Sequence, residues 1–361
     1  MSTIDKLDQN FAVKTVIEDT LTFTDCKESP FQVYGLLSTE EGFVRMPADI
    51  ASKVNANVSV LFRNTAGGRL RFQTSSPKIA IRARMANIAR MPHFSLTGTA
   101  GFDLYEDNTY RGTFNPPYDV QTGYESMLTL PGSRLRNITI HFPLYSDVRS
   151  LEIGLSTGSS LQPAPAYSRP LPVVYYGSSI TQGGCASRPG NCYENIISRR
   201  LDCDHINLGF SGGARGEDTI AAYIAGLSMS AFVYDYDHNA PDVDHLQATH
   251  NRLFQTIRQR QPLLPVIIVS RPQPNPGMDD YRRRSVILST YQNALAAGDQ
   301  NVYFIDGTMM LQAFGGDGGT VDACHPNDMG FQCMALAIGA VLEKILSSSR
   351  LPDMPLQQHK P

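Results

Sequence analysis

The amino-acid sequence predicts an antiparallel β-sandwich followed by a flavodoxin-like, three-layer α/β/α domain. Two observations support this prediction: short β-type runs fill the first 165 residues, and strands alternate with helix-length stretches from about Leu171 onward. A chain of 361 residues, 42% of them hydrophobic, is long enough to bury a sizeable core in two domains. We expect domains at residues 1–165 and 171–347, followed by a flexible tail at 348–361.

The N-terminal part contains strand-like runs but no long helical periodicity. Gly, Pro, Asn and Ser separate the runs at close intervals, which is typical of an antiparallel sandwich or jelly roll. The runs are NVSVLF, RLRFQT, KIAIRARM, FSLTG, FDLY, YESMLTL, NITIHFP and SLEIGL. The segment Ser156–Pro172 is rich in Pro, Ser and Ala, and this composition predicts a linker or strap between the domains.

The C-terminal part alternates between buried-strand candidates and helix candidates. The strand candidates are PVVYYG, HINLG, AFVYDY, PVIIVS and NVYFID. The helix candidates are Asn191–Asp202, Glu217–Ser228, Val243–Arg260, Asp279–Ala297 and Asn327–Leu346. This alternation predicts a parallel sheet covered by helices on both faces, whose functional sites lie beyond the carboxyl ends of the strands.

Composition and charge argue against several classes of function. A net charge of −3 gives no electrostatic argument for a nucleic-acid partner, which favours a strongly basic face. The first residues lack the apolar core of a signal peptide, and no apolar run approaches the roughly 20 residues of a membrane helix. We therefore expect a cytoplasmic protein without a membrane partner. The six cysteines do not repeat a CxxC pair, which argues against a zinc site or a disulfide framework.

The first strand of the C-terminal domain ends in a small polar turn, within VVYYGSSITQGG at Val173–Gly184. Such a turn can cradle a phosphate, carry a nucleophile or serve only as a loop. A P-loop needs a Gly-Lys-Ser/Thr string, and no lysine occurs near Gly184. The GxGxxG spacing of a dinucleotide site is also absent from this turn. The phosphate interpretation is therefore weak.

Distant residues favour the nucleophile interpretation. A serine hydroxyl needs a base that takes its proton and a group that orients this base. Asp322 and His325 stand three residues apart in VDACHPNDMG, before the last predicted helix. The second and third strands end in NLGFSGG and YDYDHNAP, where Gly212 and Asn239 can donate hydrogen bonds to an oxyanion. Taken singly, Asp322 and His325 are explained better by a loop with a helix N-cap. Gly212 taken singly is compatible with a positive-φ turn, and Asn239 with a turn cap.

Together, the four loops resemble the four sequence blocks of the SGNH (GDSL-type) hydrolase superfamily, over about residues 171–347. GSSITQG is similar to the Gly-Asp-Ser-x-Thr-x-Gly block of that family. The register of this block implies that Ser179 is the nucleophile and that Ser178 replaces the usual Asp. The family's base-orienting acid comes from the late Asp-x-x-His block, so this replacement is compatible with catalysis.

The resemblance also implies the remaining site residues. His325 corresponds to the base and Asp322 to the acid that orients it. The Ser179 N–H, the Gly212 N–H and the Asn239 amide correspond to the oxyanion hole. The third block matches only at Asn239, because His and Ala replace the Gly and Asp that usually flank this residue.

A second resemblance lies in the N-terminal part. GFDLY, at Gly101–Tyr105, is similar to the Gly-x-Asp-Leu-Tyr string of a β-sandwich domain that precedes one branch of SGNH hydrolases. This branch implies a serine ester hydrolase that uses no metal or other cofactor. Several two-domain relatives remove acetyl groups from carbohydrates, which implies an acetyl esterase acting on an acylated oligosaccharide or similar small molecule.

Two alternatives remain from the sequence: an acyltransferase that uses the same site, and a non-catalytic carbohydrate-binding protein. The sequence is also compatible with a homo-oligomer. Cys185 and Cys192 bracket the loop CASRPGNC and are more simply interpreted as two free thiols than as a disulfide. Cys324 is interpreted as packing filler, Arg271 as an exposed loop residue, and Tyr281–Ser285 as the solvated start of a helix.

Overall fold

A computed structural model describes residues 4–8, 20–312 and 316–348. The predicted tail lies outside these residues beyond Ser348. The described helices are α1 (Ile4–Leu7), α2 (Ala48–Val54), α3 (Val58–Leu61), α4 (Leu96–Ala100), α5 (Ser179–Gln182), α6 (Tyr193–Leu201), α7 (Asp218–Ala225), α8 (Val243–Arg260), α9 (Met278–Ala296), α10 (Gly307–Met310) and α11 (Asp328–Ser348).

Twelve of the described strands precede residue 165, and five follow it. The first set comprises β1 (Leu21–Asp25), β2 (Gln32–Tyr34), β3 (Leu37–Thr39), β4 (Gly42–Val44), β5 (Arg69–Thr74), β6 (Lys78–Ala86), β7 (Phe102–Glu106), β8 (Thr109–Phe114), β9 (Gly123–Thr129), β10 (Arg136–His141), β11 (Asp147–Ser156) and β12 (Leu161–Gln162). The second set comprises β13 (Arg169–Gly177), β14 (Cys203–Gly209), β15 (Ala231–Asp235), β16 (Val266–Val269) and β17 (Val302–Ile305).

The N-terminal strands form two facing antiparallel sheets, as the sequence predicted. One sheet has the order β1-β11-β6-β9; the other has the order β12-β5-β10-β7-β8, with β2 also paired to β5. Apolar side chains alternate along β6 and meet those of the opposite sheet, because alternate residues of a strand point to opposite faces. The shared core includes Ile79, Ile81, Phe72, Leu104 and Ile140.

Two of the predicted N-terminal strands are wrong. NVSVLF forms helix α3, where the Asn55 side chain accepts a hydrogen bond from the backbone N–H of Val58 at 2.9 Å. FSLTG enters helix α4, which the Ser95 hydroxyl caps by accepting from Gly98 N–H. In both places a polar residue before the helix supports the first helical turn, and such capping overrides the weak strand preference of a short apolar run.

The C-terminal strands form one parallel sheet in the order β14-β13-β15-β16-β17. Numbered from the first strand of this domain, this is the 2-1-3-4-5 order of flavodoxin-like folds, which confirms the predicted architecture. Helices α7, α8 and α9 pack on one face, and α6 and α11 pack on the other. The five predicted helices agree with α6, α7, α8, α9 and α11 to within three residues at either end.

Helix α11 differs from the sequence prediction in one respect. Its segment Asp328–Ser347 has a mean hydropathy of 1.5 and is long enough to cross a membrane, although no such run was predicted. More than half of this segment is buried in the protein. Phe331, Met334 and Ile338 pack into the core beneath the parallel sheet, so the apolar character of α11 is that of a core helix.

The two halves share buried surfaces. The strap after β11 adds β12 to the N-terminal sheet and then continues into β13 of the parallel sheet. Helices α2 and α3 contribute Ala51 and Val58 to the same apolar cluster as Ile220 of α7. Arg69 of β5 is fully buried and forms an ion pair with Asp204 of β14. The N-terminal half is therefore held against the sheet that carries the candidate site.

Candidate active site

Glycines at two strand ends make room for the turn that carries Ser179. A Cβ atom at Gly177, the last residue of β13, would lie 1.9 Å from Oδ1 of Asp235 and 2.1 Å from Oγ1 of Thr181. A Cβ atom at Gly209, the last residue of β14, would lie 2.2 Å from the backbone nitrogen of Gln182. Only glycine lets the first turn of α5 pack this closely between the strand ends.

The two adjacent serines have different environments. Ser178 is fully buried, and its hydroxyl caps α5 by accepting a hydrogen bond from the backbone N–H of Ile180 at 3.1 Å. Ser179 is the first residue of α5 and is only half-buried. Its own N–H has no acceptor among the described residues, because no helical carbonyl precedes the first turn of a helix. The turn thus presents the hydroxyl and the N–H of Ser179 at the carboxyl end of β13.

The structure brings Ser179, His325 and Asp322 together in a hydrogen-bonded chain. Oγ of Ser179 lies 2.9 Å from Nε2 of His325, and Nδ1 of His325 lies 2.8 Å from Oδ2 of Asp322. The carboxylate accepts from Nδ1–H and so leaves the lone pair of Nε2 facing the serine hydroxyl. This is the arrangement in which a histidine can withdraw the serine proton.

The loop before α11 fixes the acid and the base relative to each other. Oδ1 of Asp322 accepts from the backbone N–H groups of His325 at 2.7 Å and of Cys324 at 3.1 Å. Ala323 adopts a φ of +64°, which allows this tight turn. Partial burial raises the pKa of Asp322, but the hydrogen bonds from His325 and Cys324 outweigh it and hold that pKa below its ordinary value. The carboxylate therefore stays ionised.

The two predicted oxyanion donors lie on neighbouring strand-end loops. Gly212 has a φ of +66°, and its N–H has no hydrogen-bond partner among the described residues. The Asn239 side-chain amide donates one hydrogen bond to the backbone oxygen of Phe210, at 2.8 Å. An amide nitrogen carries two hydrogens, so one remains for another acceptor. The bond to Phe210 ties the third block to the second and fixes the orientation of this amide.

A hydrogen-bonded bridge from the N-terminal domain supports the second block and was missed by sequence reasoning. Asn64 accepts from Nε2 of Gln182 at 3.1 Å, and Oε1 of Gln182 accepts from the backbone N–H of Ser211 at 3.0 Å. Gln182 is fully buried. Nothing in the sequence indicates this bridge, because Asn64 and Gln182 are 118 residues apart and meet only after the domains dock.

Two arginines brace the turn that carries Asn239, contrary to their predicted surface roles. The Arg271 side chain is only 16% exposed and forms ion pairs with Asp280 and, at 4.0 Å, with Asp237 of this turn, so it is not an exposed loop residue. Arg283, within the stretch predicted as a solvated helix start, donates to the backbone oxygens of Asp237 at 3.2 Å and Ala240 at 3.0 Å. The paired acids hold both guanidinium groups in place, which removes them from solvent.

Side chains of the Gly-x-Asp-Leu-Tyr string form hydrogen bonds with the loop that follows the serine turn. Asp103 is fully buried, and its Oδ2 accepts from Nη1 of Arg188 at 2.8 Å and from the backbone N–H of Gly190 at 2.7 Å. Nη1 of Arg188 also donates to the Tyr105 hydroxyl at 2.6 Å. The motif therefore joins the N-terminal sandwich to the loop beside Ser179.

A second N-terminal segment reaches the site itself. Phe94 packs edge-on against Tyr145, with ring centroids 5.2 Å apart, and the Tyr145 hydroxyl donates to the backbone oxygen of Ser179 at 3.3 Å. The neighbouring His93 places Nε2 at 3.9 Å from Oδ2 of Asp322. Sequence reasoning missed His93, since no motif surrounds it. The N-terminal half thus forms part of the wall around the candidate relay.

The cysteines are free thiols, and this agrees with the interpretation of Cys185 and Cys192. Burial raises the pKa of Cys185 to about 12, so this thiol is protonated at neutral pH. Cys324 places Sγ at 3.8 Å from Nδ1 of His238, within a partly buried contact. Burial lowers the pKa of His238 to about 3, which keeps its imidazole neutral. The described residues also contain a group of potential metal ligands, His93, Cys185 and His325.

Comparisons with known proteins agree with this geometry. Residues 171–343 match the GDSL-like lipase/acylhydrolase family, and residues 21–161 match the N-terminus of SGNH-hydro-type esterases. Residues 171–343 form a GDSL-like lipase/acylhydrolase domain. Both halves of the enzyme are therefore assigned to the family that the sequence resembles. No curated protein matches the chain.

Solved structures share the fold of this acylhydrolase. A protein described as a GDSL-like lipase from Bacteroides ovatus is 29% identical, with a TM-score of 0.80 over 91% of this chain and 98% of that one. A salicylyl-acyltransferase from a tetracycline biosynthetic pathway is 20% identical, with a TM-score of 0.76 over 92% and 99%. An acetyl xylan esterase from Butyrivibrio proteoclasticus is 14% identical, with a TM-score of 0.57 over 92% and 100%. At such identities the last two show the fold alone.

Proposed function

We propose that this acylhydrolase is a serine esterase that removes small acyl groups, acetyl in particular, from hydroxyls of carbohydrates or similar small molecules. The observation that carries the proposal is the chain of hydrogen bonds from Ser179 through His325 to Asp322. The match to the acylhydrolase family supports it. We assign Ser179 as nucleophile, His325 as general base and Asp322 as the residue that orients His325 and stabilises its protonated form.

Acylation begins when Oγ of Ser179 attacks the ester carbonyl carbon. The hydroxyl proton passes to Nε2 of His325, and the carbonyl oxygen becomes an oxyanion. The N–H groups of Gly212 and Ser179 and the second hydrogen of the Asn239 amide stabilise this charge. Collapse of the tetrahedral intermediate breaks the bond to the alcohol oxygen, which takes the proton from His325 as it leaves.

Deacylation repeats these steps with water as the nucleophile. Water occupies the position of the departed alcohol and loses a proton to Nε2 of His325. The new oxyanion forms in the same donor set, and its collapse releases the acid and returns the proton to Oγ of Ser179. The scheme is complete with side chains and backbone N–H groups, so we propose that it needs neither a metal ion nor another cofactor.

Labelling with a fluorophosphonate probe tests the assignment of the nucleophile. We expect one adduct, on Ser179, and no adduct in the Ser179→Ala variant. An adduct that persists in this variant contradicts the assignment. Turnover of acetyl, butyryl and octanoyl esters, together with acetylated oligosaccharides, then tests the substrate class. Faster turnover of the octanoyl ester than of the acetyl esters argues against the proposed acyl group.

An acyltransferase that uses the same relay is the second candidate, and the fold shared with the salicylyl-acyltransferase favours testing it. In this case a sugar or other alcohol, rather than water, attacks the acyl-enzyme. Product analysis with an acyl donor and rising concentrations of an acceptor alcohol separates the two reactions. A hydrolase yields free acid at every acceptor concentration, whereas a transferase yields mainly the new ester.

A further inference from the structure

Three side chains that commonly bind metal ions converge beside Ser179. The potential ligand atoms of His93, Cys185 and His325 all lie within 4.8 Å of one another. They come from three separate segments: the N-terminal wall, the loop after α5 and the loop before α11. His325 belongs to the proposed catalytic relay, whereas that mechanism does not use His93 or Cys185.

His325 is held in place by its neighbouring acid. Asp322 accepts from Nδ1 of His325 at 2.8 Å, which leaves Nε2 as the nitrogen that faces the cluster. A carboxylate behind a histidine is the usual support for a metal-bound imidazole, since it fixes the tautomer and the ring orientation. The Asp322–His325 pair therefore already has the form of a metal ligand with its supporting acid.

The other two are positioned by the backbone. Cys185 adopts a φ of +74°, in a region that side-chain-bearing residues rarely occupy, directly after the packed Gly184. A Cβ atom at Gly184 would lie only 3.3 Å from Cδ2 of His325, so this loop runs against the imidazole. His93 lies in a turn closed by a 3.2 Å hydrogen bond from Phe94 N–H to the backbone oxygen of Met91.

We propose that His93, Cys185 and His325 form an inhibitory binding site for a divalent transition metal of the zinc type. Two imidazoles and one thiolate suit this class of ion better than Mg²⁺ or Ca²⁺, which prefer oxygen ligands. Tetrahedral coordination with ordinary Zn–N and Zn–S lengths separates ligand atoms by roughly 3.3–3.7 Å. The ligand atoms thus need to approach one another by at most about 1.5 Å, a distance within reach of side-chain rotations.

Metal binding and catalysis exclude each other in this arrangement. When Nε2 of His325 gives its lone pair to the metal, it no longer accepts from Oγ of Ser179. The Cys185 thiol releases its proton to solvent as the sulfur–metal bond forms, and no group is oxidised or reduced. Water or the Ser179 hydroxyl fills the fourth position. Inhibition by the metal rests on the proposed function, because it requires that His325 acts as the base. Binding of the metal to the site does not depend on that role.

Cobalt binding tests the site without any measurement of activity. The Ser179→Ala variant, freed of metal by chelation and titrated with Co²⁺, should develop the thiolate-to-cobalt absorption band in the near ultraviolet. The double variant Ser179→Ala/Cys185→Ser should lose this band, and Ser179→Ala/Cys324→Ser, which removes the neighbouring thiol, should keep it. The absence of a band, or a band that depends on Cys324 instead, overturns the proposal.

Zinc titration of ester hydrolysis tests the consequence for the enzyme. EDTA should leave the rate of the wild-type protein unchanged or raise it, and micromolar Zn²⁺ should suppress it. Cys185→Ser and His93→Gln should each raise the half-inhibitory concentration at least about tenfold, the lower end of what even an outer-shell change costs. Every rate is compared with that of the same variant in EDTA. Equal inhibition of all variants contradicts the proposal. An inactive wild-type protein contradicts the proposed function, and in that case the cobalt spectrum still tests whether the metal site exists.

Discussion

The two halves of the molecule contribute to the candidate site in different ways. The parallel sheet supplies Ser179, Gly212 and Asn239 from the ends of three strands, and its last loop supplies His325. The antiparallel sandwich supplies no member of the relay, but its side chains contact the loops around it. Asp103 holds the loop after α5, and Asn64 supports the second block through Gln182.

This difference separates residues that local structure positions from residues that depend on contact between the domains. Residues at the strand ends have local reasons for their positions, such as the glycine at the end of β13 and the capping hydroxyl of Ser178. The supporting residues of the sandwich have no effect until the domains dock. We therefore expect variants of the first group to change the chemical step, and variants of the second group to change stability and loop position together.

The largest effect is expected for the relay. Ser179→Ala and His325→Ala should each abolish measurable ester hydrolysis, and the double variant should be scarcely worse than either, because residues that act as one unit are strongly non-additive. Steady-state rates of the three variants, measured with one activated ester, test this. Independent multiplication of the two losses means that Ser179 and His325 do not act together.

A smaller effect is expected for Asn239. If its amide donates to the oxyanion, Asn239→Ala should lower kcat by about 10²–10³ with little change in KM. The same variant also loses the hydrogen bond to Phe210, so its Tm should fall. Measuring kcat, KM and Tm on one preparation separates the two roles. An unchanged kcat beside a lowered Tm removes Asn239 from the oxyanion hole.

The sequence predicted the parallel domain better than the sandwich for a physical reason. Buried parallel strands appear as continuous apolar runs such as VIIV, and these strands alternate along the chain with long helices. Two separate signals therefore indicate the same fold. In the sandwich, NVSVLF and FSLTG are too short for their pattern to distinguish strand from helix, and Asn55 and Ser95 decide the outcome. Likewise, Ser179 and His325 stand in recognisable blocks, whereas His93 and Arg283 gain their contacts only from the folded chain.

A smaller effect on rate than that of Asn239→Ala is expected when the contacts of Asp103 with the loop after α5 are weakened. Asp103→Asn should lower the free energy of unfolding by about 1.5–3 kcal/mol, since it weakens buried hydrogen bonds to a charged partner. It should also lower kcat/KM by about 10-fold, because the loop at Arg188 and Gly190 adjoins the serine turn and small misplacements cost rate. Denaturant unfolding and steady-state kinetics measure the two effects.

Glu106→Gln is the matched control for Asp103→Asn. Glu106 lies on the same strand and is equally buried, but its ion pairs are to Arg111, Arg134 and Arg136 within the sandwich. We expect a similar loss of stability without a loss of kcat/KM. If both variants lose kcat/KM to the same extent, the effect comes from general destabilisation and the N-terminal half has no specific role at the site.

The smallest effect on rate is expected for Ser178, which lies next to the proposed nucleophile but has a structural role. Ser178→Ala removes the acceptor for the Ile180 N–H and should cost about 0.5–2 kcal/mol of stability, as the loss of a helix cap does elsewhere. Because Ser179, and not Ser178, supplies the hydroxyl that contacts His325, kcat should stay within about threefold of the wild-type value, well short of the loss expected for an oxyanion donor. Ser178→Asp keeps an acceptor at the cap, in the residue that the superfamily usually carries there, and should recover part of the lost stability. Peptide mass spectrometry of the fluorophosphonate adduct locates the modified serine independently of these rates. A label on Ser178, or a Ser178→Ala variant as inactive as Ser179→Ala, would reverse the assignment of the two serines.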